Sequence, residues 1–243
     1  MDDDGGASVV LTIRVVAETG STNADLLTAA AEGALEATWL RAERQVAGRG
    51  RQGRPWSDGA GNLFASTIVR LRPGDPPAPT LALVAGVAMA EAVGSVAPGL
   101  ARLKWPNDLM VERAKLSGIL LERGAGDAVI AGFGVNLAQN PQLPDRPTTS
   151  LATHGVLVTA SEMLDLLAAR FAAALTAWRT GGVAAISARW KALAHPTGTP
   201  LTVRLPDGRS VAGRFEDIDP SGALRLSLSG GGREVVHAGD VFL

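Results

Sequence analysis

Gln45-Val-Ala-Gly-Arg-Gly-Arg-Gln-Gly-Arg-Pro-Trp56 is the stretch from which we interpret the rest of the chain. Three glycines alternate in it with three arginines, and an aromatic residue ends it. Glycine permits positive φ and close backbone approach to a ligand, and the N–H groups of such a turn can bind an anion. Arginine adds a permanent charge and a planar fork that matches phosphate or carboxylate. The stretch therefore predicts a loop that suits a nucleotide or an acyl phosphate.

The spacing Gly48-x-Gly50-x-x-Gly53 also matches the dinucleotide-binding fingerprint by letter. That fingerprint requires a strand before it and a helix directly after it. A strand is predicted over Ala37–Ala42, but Pro55 and the turn formers Ser57-Asp58-Gly59 exclude the helix. We therefore reject a Rossmann site, and the alternative to a phosphate cradle is a flexible basic surface loop.

Composition limits the classes of protein that this chain can belong to. Its 243 residues are 46% hydrophobic, enough for one large domain with a substantial core and a small second one. The net charge of −1 argues against general nucleic-acid binding. The absence of cysteine excludes disulfides, thiolate nucleophiles and cysteine-based zinc sites. His154, His195 and His237 lie far apart without metal-ligand spacing, so we interpret them as structural.

The sequence favours a cytoplasmic protein that does not contact a membrane. The amino terminus is acidic and lacks the apolar segment of a signal peptide. No apolar run is expected to have the length and uniformity of a membrane-spanning helix. The lack of cysteine is compatible with a reducing compartment.

The Pro- and Gly-containing stretch His195–Pro200, with a change of composition after it, predicts a large domain over residues 1–195 and a small one over 196–243. In the first, strands are predicted over Val9–Val16, Ala37–Ala42, Asn62–Arg70, Lys115–Glu122 and Ala128–Asn136, and helices over 24–33, Leu81–Val96, Thr159–Trp178 and Val183–Leu193. Gly181-Gly182 separates the last two helices. After Pro200, four short strands separated by Gly-rich turns predict a small β-barrel that packs on the larger domain.

Two further stretches carry chemistry-bearing residues. Ser21-Thr-Asn23 precedes a helix, where capping explains one polar residue and a small polar ligand could use the others. In Leu103-Lys-Trp-Pro-Asn-Asp108 a short strand is predicted to end in Pro-Asn-Asp, the composition of a turn. Lys115 begins an apolar strand, where a lysine usually reaches solvent, and Gly118 marks a bulge or a close ligand approach.

Taken together and in this order, Gly48–Trp56, Lys104–Asp108 and Lys115-Leu-Ser-Gly-Ile-Leu120 resemble the biotin protein ligase family over nearly the whole chain. The resemblance implies an α+β fold: a mixed sheet with flanking helices, of the class II synthetase-like kind, followed by an SH3-like β-barrel. It also implies a two-step reaction. Biotin and Mg-ATP form biotinyl-5′-AMP and pyrophosphate, and a lysine of a biotin carboxyl carrier domain then attacks the mixed anhydride and releases AMP.

The resemblance further implies roles for individual residues. The biotin side comprises Ser21, Thr22 and Asn23 at the ureido head, with Gln45, Gly48, Arg49, Arg51, Lys115 and Gly118. The nucleotide side comprises Arg51, Arg54, Trp56 against adenine, Asn107, Asp108, Lys115 and Asn136 at the adenine edge. Lys115 and Arg51 are the catalytic candidates, and Asp108 is a candidate Mg²⁺ ligand.

Some members of that family carry a DNA-binding winged helix upstream. Only about eight residues precede the first predicted strand, so we expect a ligase without the regulator and no DNA partner. The rival enzyme is a lipoate or octanoate protein ligase or transferase of the same general fold. A non-enzymatic binding protein is the rival from another class, and the charged phosphate cradle argues against it.

Overall fold

A seven-stranded mixed sheet carries the larger part of the chain. The structure is a computed structural model that describes residues 12–56, 59–143 and 146–243. The strands are β1 Thr12–Thr19, β2 Thr38–Gln45, β3 Leu63–Arg70, β4 Arg102–Lys104, β5 Asp108–Val111, β6 Ala114–Arg123 and β7 Ala128–Val135. Their spatial order is β1-β2-β3-β7-β6-β5-β4, with β1 and β2 parallel and the other neighbours antiparallel. The mixed sheet is confirmed, whereas β5 was not predicted, and Val9–Leu11 of the first predicted strand lie outside the described residues.

Helices cover the two faces of this sheet unequally. The long helices α2 (Leu81–Val96) and α3 (Ala160–Leu193) lie on one face and enclose the main hydrophobic core. The short helix α1 (Thr22–Ala31) lies on the other face over a small cluster around Leu26, Ile68 and Ile130. The central strands β3 and β7 are buried along almost their whole length, which explains their nearly continuous apolar sequence.

Helix α2 has the bounds predicted for it. The expectation that no apolar run is long and uniform enough to span a membrane was wrong. The segment Ala78–Val96 does meet the length and hydropathy of a membrane span. In this fold 67% of an 18-residue window of that segment is buried, and α2 packs between the sheet and α3. A helix that is apolar all round is what such a packed position requires.

The start and the break of α3 follow the sequence signals. Thr159 and Glu162 form the predicted capping box, with the Thr159 N–H donating to Glu162 Oε2 at 2.8 Å and the Glu162 N–H donating to Thr159 Oγ1 at 3.2 Å. Gly182 has φ 69° and ψ −170°, so the helical path is interrupted there. A positive φ is accessible to glycine at little cost, which is why the break falls at this residue.

A five-stranded antiparallel sheet follows α3 and fits the expected SH3-like domain. Its strands are β8 Pro200–Arg204, β9 Ser210–Ile218, β10 Leu224–Ser227, β11 Arg233–Val236 and β12 Asp240–Phe242, in the order β11-β10-β9-β8-β12. It packs on the larger part, as expected. Trp190 meets Phe215 edge-on at 6.1 Å between ring centroids, and the Trp105 indole N–H donates to the Gly222 carbonyl at 3.0 Å. The strand β12 was not predicted because three residues show no periodicity.

Glu36 lies in the connection between α1 and β2 and pairs with Arg179 of α3, so its loss should destabilise the fold. Its carboxylate accepts hydrogen bonds from Arg179 at 2.7 and 3.0 Å and from the Arg70 backbone N–H at 3.1 Å. Burial raises the pKa of Glu36, but the Arg179 and Arg70 hydrogen bonds outweigh it, so the pKa lies below its ordinary 4.5. We expect Glu36→Gln to lower the free energy of unfolding by about 1–3 kcal/mol at neutral pH, measured by urea denaturation.

The pH dependence of that loss follows from the direction of the pKa shift. A lowered pKa stabilises the fold above the ordinary pKa, and this contribution disappears as the pH falls through the lowered value. The difference between wild type and Glu36→Gln should therefore shrink on acidification. Glu43→Gln is the matched control, because Glu43 is 63% exposed and its pair with Arg41 spans 3.7 Å. Equal destabilisation by the two substitutions would contradict the assignment.

Candidate active site

Where β6 and β7 pair, three glycines lie on the face of the sheet that carries α1, so this part of the face has no side chains. Gly118 is directly opposite Gly134, and Gly132 lies on the same face of β7. A Cβ atom at Gly118 would come within 2.8 Å of the Trp56 ring, and one at Gly134 would overlap it. A Cβ atom at Gly132 would overlap the Asn23 amide. The glycines thus form a flat floor on which an indole and an amide lie directly against the backbone.

The Gly/Arg loop folds back so that Trp56 reaches this floor. Gly48 and Trp56 are joined by the Trp56 N–H donating to the Gly48 carbonyl at 2.9 Å, and Gly50 donates to the Arg54 carbonyl at 2.7 Å. A short 3₁₀ turn, Arg51–Gly53, closes the tip. The next element described after the loop is β3 and not an α-helix, although 57–58 lie outside the described residues. The geometry agrees with the rejection of a Rossmann site.

A β-bulge turns Lys115 toward the same face. Across from β5, Leu109 pairs with Ser117 and Met110 pairs with Lys115, so Leu116 is an extra residue in β6. Regular alternation would place Lys115 beside Ile119 in the α2–α3 core, and the extra residue reverses its side. The Lys115 ammonium instead lies 5.5 Å from the Trp56 ring centroid. The bulge precedes Gly118, whose role is the close approach of Trp56.

Asp108 neutralises Lys115 in this structure. Its Oδ1 lies 2.5 Å from the Lys115 ammonium and its Oδ2 lies 3.3 Å from that of Lys104. Burial raises the pKa of Asp108, but the two ammonium groups lower it more strongly. The pKa of this carboxyl therefore lies below its ordinary value. The neighbouring Asn107 donates to the Ile119 carbonyl at 2.5 Å and accepts from Arg51 at 3.4 Å. These contacts join the Lys104–Asp108 turn to β6 and to the Gly/Arg loop.

A buried polar network lies at the start of α1. The backbone N–H of Thr22 donates to Gln45 Oε1 at 2.8 Å. The Thr22 hydroxyl lies 2.6 Å from Ser66 Oγ and 3.0 Å from Gln45 Oε1, and Ser66 donates to Asn23 Oδ1 at 2.6 Å. Ser21 is the helix N-cap and accepts from the Ala24 N–H at 3.5 Å. Capping thus accounts for Ser21, while Thr22 and Asn23 belong to a network beside the glycine floor.

The three arginines of the loop each have a different partner. Arg49 lies 3.7 Å from Glu122, Arg51 donates to the Gly239 carbonyl at 3.5 Å, and Arg54 lies 2.5 Å from Asp240. Arg51 therefore contacts the residue before β12, and Arg54 contacts the first residue of β12. These contacts favour an ordered loop over a flexible basic surface loop, because each guanidinium group has an acceptor elsewhere in the fold.

Asn136 directly follows β7, beside the segment of β6 that carries the bulge. Its side-chain amide donates to the Thr149 carbonyl at 3.0 Å and to the Lys115 carbonyl at 3.4 Å. Its backbone N–H donates to the Leu116 carbonyl at 3.0 Å. Asn136 therefore fixes the backbone of the bulged segment that aims Lys115, and its contact with an adenine edge stays a prediction.

The structure brings together the predicted residues of the Gly/Arg loop, the α1 start, the Lys104–Asp108 turn and β6. Sequence reasoning missed several of their neighbours, namely Ser66, Glu122, Gly132, Gly134 and Asp240. The alternating glycines in an apolar strand were a signal that could have been used. No local sequence pattern marks Ser66, Glu122 or Asp240 as site residues, because each contacts a partner that is distant in the sequence.

The donor set does not fit a resident magnesium site of the protein's own. No group of three or more His, Asp or Glu side chains that could hold a metal occurs in the described ranges, 12–56, 59–143 and 146–243. The candidate ligand Asp108 lies between two ammonium groups, which repel a cation. Mg²⁺ usually keeps several waters and binds through one or two carboxylates and substrate phosphates, so a dedicated cage is not required for Mg-ATP chemistry.

Known proteins resemble this chain in sequence and in fold. The model of the biotin/lipoate A/B protein ligase family matches residues 17–136, and that of the biotin protein ligase C-terminal domain matches residues 198–243. A biotin–[acetyl-CoA-carboxylase] ligase of Paracoccus denitrificans is 40% identical, covering 94% of this chain and 99% of that protein. The one of Mycobacterium tuberculosis is 41% identical, covering 93% and 87%.

The fold agrees with a solved structure of the same kind. A biotin protein ligase from Aquifex aeolicus, solved in complex with biotin and ATP, superposes with a TM-score of 0.83 over 95% of this chain and 97% of that chain. At 23% sequence identity this likeness concerns the fold. The identities of 40% and 41% over nearly full length decide the family: this chain is a member of the biotin protein ligases.

Proposed function

We propose that this protein is an ATP-dependent ligase that joins biotin to AMP and then transfers biotin to a lysine of a biotin carboxyl carrier domain. One observation carries the proposal. A flat aromatic ring, an inward-turned lysine and an arginine loop meet a buried polar network on one glycine floor. The floor and ring suit a flat ligand, the cations suit phosphate and carboxylate, and the network suits a polar head group.

The charges account for the first step. A carboxylate oxygen must attack the α-phosphorus of ATP, and the two anions repel each other strongly in a site shielded from water. Lys115 lies on the floor and can offset this repulsion, while Arg51 and Arg54 serve the phosphate groups. In this structure Asp108 forms the ion pair with Lys115. We propose that an arriving substrate anion competes with Asp108 for this ammonium group. Pyrophosphate then leaves, and no protein nucleophile is needed, which agrees with a chain without cysteine.

The polar network favours biotin over lipoate or octanoate as the acyl substrate. Thr22, Asn23, Gln45 and Ser66 are all at most 8% exposed. A ureido ring offers two N–H donors and a carbonyl acceptor to such a site, whereas a dithiolane ring or an alkyl chain offers neither. Covering hydrogen-bonding groups with a ligand that cannot pair them disfavours the wrong substrate strongly. The lipoate alternative is therefore the weaker of the two.

The C-terminal sheet belongs to the proposed active assembly. We place the domain boundary between residues 195 and 196, where helical structure gives way to short antiparallel strands. Asp240 and Gly239 contact Arg54 and Arg51 across that boundary. The small domain thus holds two arginines of the phosphate loop in place. We further propose that the protein uses ATP as its magnesium complex. We also propose that it acts in the cytoplasm.

Pyrophosphate exchange with the wild-type protein tests this function. Labelled pyrophosphate should be incorporated into ATP when biotin is present, and biotin should then appear on a lysine of an added carrier domain. Lipoate and octanoate serve as the comparison substrates in the same assay. Exchange that depends on lipoate and not on biotin would assign the protein to the rival activity, and no exchange with any of the three would remove the proposal.

A further inference from the structure

Glu122 has an unassigned position beside the polar network. Alternation along β6 from Gly118 through Leu120 places its side chain on the glycine-floor face. Its Oε2 accepts a hydrogen bond from Asn23 Nδ2 at 2.7 Å, and its Oε1 lies 3.7 Å from Arg49. One partly buried carboxylate therefore contacts both the start of α1 and the Gly/Arg loop.

The carboxylate determines which way the Asn23 amide points. An amide has a donor end and an acceptor end, whereas an ionised carboxylate only accepts. Glu122 and the Leu120 carbonyl, at 3.3 Å, therefore both require Nδ2 on their side. Oδ1 is then left facing Ser66, which must donate its hydroxyl proton to it.

The orientation of Asn23 propagates along the network. With the Ser66 proton committed to Asn23, the hydroxyl of Thr22 is the donor in its 2.6 Å contact with Ser66. If the amide were reversed, Ser66 would accept from Asn23 and donate to Thr22, and the Thr22 proton would turn to Gln45 Oε1. The two arrangements present different donors and acceptors to a ligand, because each hydroxyl has only one proton.

We propose that Glu122 is a specificity-determining positioning residue. Its carboxylate holds the Asn23 amide in one orientation and so sets the donor–acceptor direction of the Asn23–Ser66–Thr22 chain that meets the ureido head of biotin. The inference rests on the proposed function and deepens it. Glu122 acts through Asn23 and is not a catalytic residue.

Glu122→Gln tests this with little change in size. The new amide can donate as well as accept, so it no longer enforces the Asn23 orientation. In pyrophosphate exchange we expect KM for biotin to rise about 10- to 100-fold, the scale for a hydrogen bond to a charged group. The kcat and the KM for ATP should stay within about threefold, because uniform binding is what is lost. Glu91→Gln is the control, since Glu91 pairs with Arg189 on the opposite side of the sheet.

A double-mutant cycle separates positioning from a general packing effect. In an Asn23→Ala background, Glu122→Gln should change KM for biotin by less than about twofold, since the residue through which it acts is absent. Independent, multiplying effects of the two substitutions would overturn the inference. A KM for ATP that rises as much as that for biotin would overturn it as well.

The remaining outcomes distinguish this inference from the proposed function. If wild type shows no biotin-dependent exchange, the function fails and the inference fails with it. If wild type is active and Glu122→Gln keeps the wild-type KM for biotin, only the inference fails. Should Glu122→Gln not fold, Glu122→Asp keeps the charge but withdraws it from Asn23. A rise in KM for biotin alone then supports the inference, and an unchanged KM overturns it.

Discussion

Lys115→Met should lower the rate of biotin-dependent adenylate formation by about a hundred- to a thousandfold. The bulge at Leu116 aims this ammonium at the glycine floor, where the proposed reaction brings a carboxylate and an α-phosphate together. Charge develops there during the reaction, so the interaction grows in the transition state. Biotin binding, measured by calorimetry, should weaken far less than exchange. Methionine retains most of the apolar stem of the lysine and limits the loss of packing.

The stability of the variant needs its own measurement, because Lys115 also neutralises Asp108. Lys104 remains beside that carboxylate at 3.3 Å, so we expect a folded protein with a lower unfolding temperature. Lys191→Met is the matched control, since Lys191 is 40% exposed and pairs with Asp217 away from the site. The assignment of Lys115 is wrong if the folded variant exchanges pyrophosphate near the wild-type rate.

Gly134→Ala should reduce kcat/KM for pyrophosphate exchange by about a hundredfold, the effect expected when reacting groups are displaced by an ångström. A Cβ atom there would lie 2.5 Å from Trp56 Nε1 and 2.6 Å from its Cζ2. The ring would have to lift from the floor, and any ligand lying on Gly134 would be displaced in the same way. The strand itself should tolerate alanine, because β7 keeps its pairing with β3 and β6.

Gly94→Ala is the matched control for this substitution. Gly94 lies in α2, and an added Cβ atom would meet nothing within 4 Å. The same chemical change should there raise stability by up to about 1 kcal/mol, since glycine is the poorer helix former, and leave exchange unaltered. Equal activity of the two variants would show that the glycine floor is not where substrates bind.

The two substitutions probe different parts of one arrangement. Lys115 supplies charge at a place chosen by a bulge, and Gly134 supplies the absence of a side chain at a place chosen by strand register. Neither residue could act from a neighbouring position in the sequence. A shift of one residue in β7 would put Phe133 or Val135 on the floor and turn the glycine into the core.

The sequence by itself determined the local structure and the order of the motifs. The bounds of α2, the capping box of α3 and the break at Gly182 follow from periodicity, capping and glycine chemistry, which act over a few residues. The three motifs around Gly48–Trp56, Lys104–Asp108 and Lys115–Leu120 likewise indicated the family, because their order and spacing are readable along the chain.

Only the tertiary structure decided which residues complete the site. Glu122 meets Asn23 across 99 positions of the sequence, Ser66 meets it across 43, and Asp240 meets Arg54 across 186. Such contacts depend on the order of the strands, on their register and on the packing of the small domain, none of which local propensity specifies. The physical reason is that propensity and periodicity act within one element, whereas a binding site is formed where several elements meet.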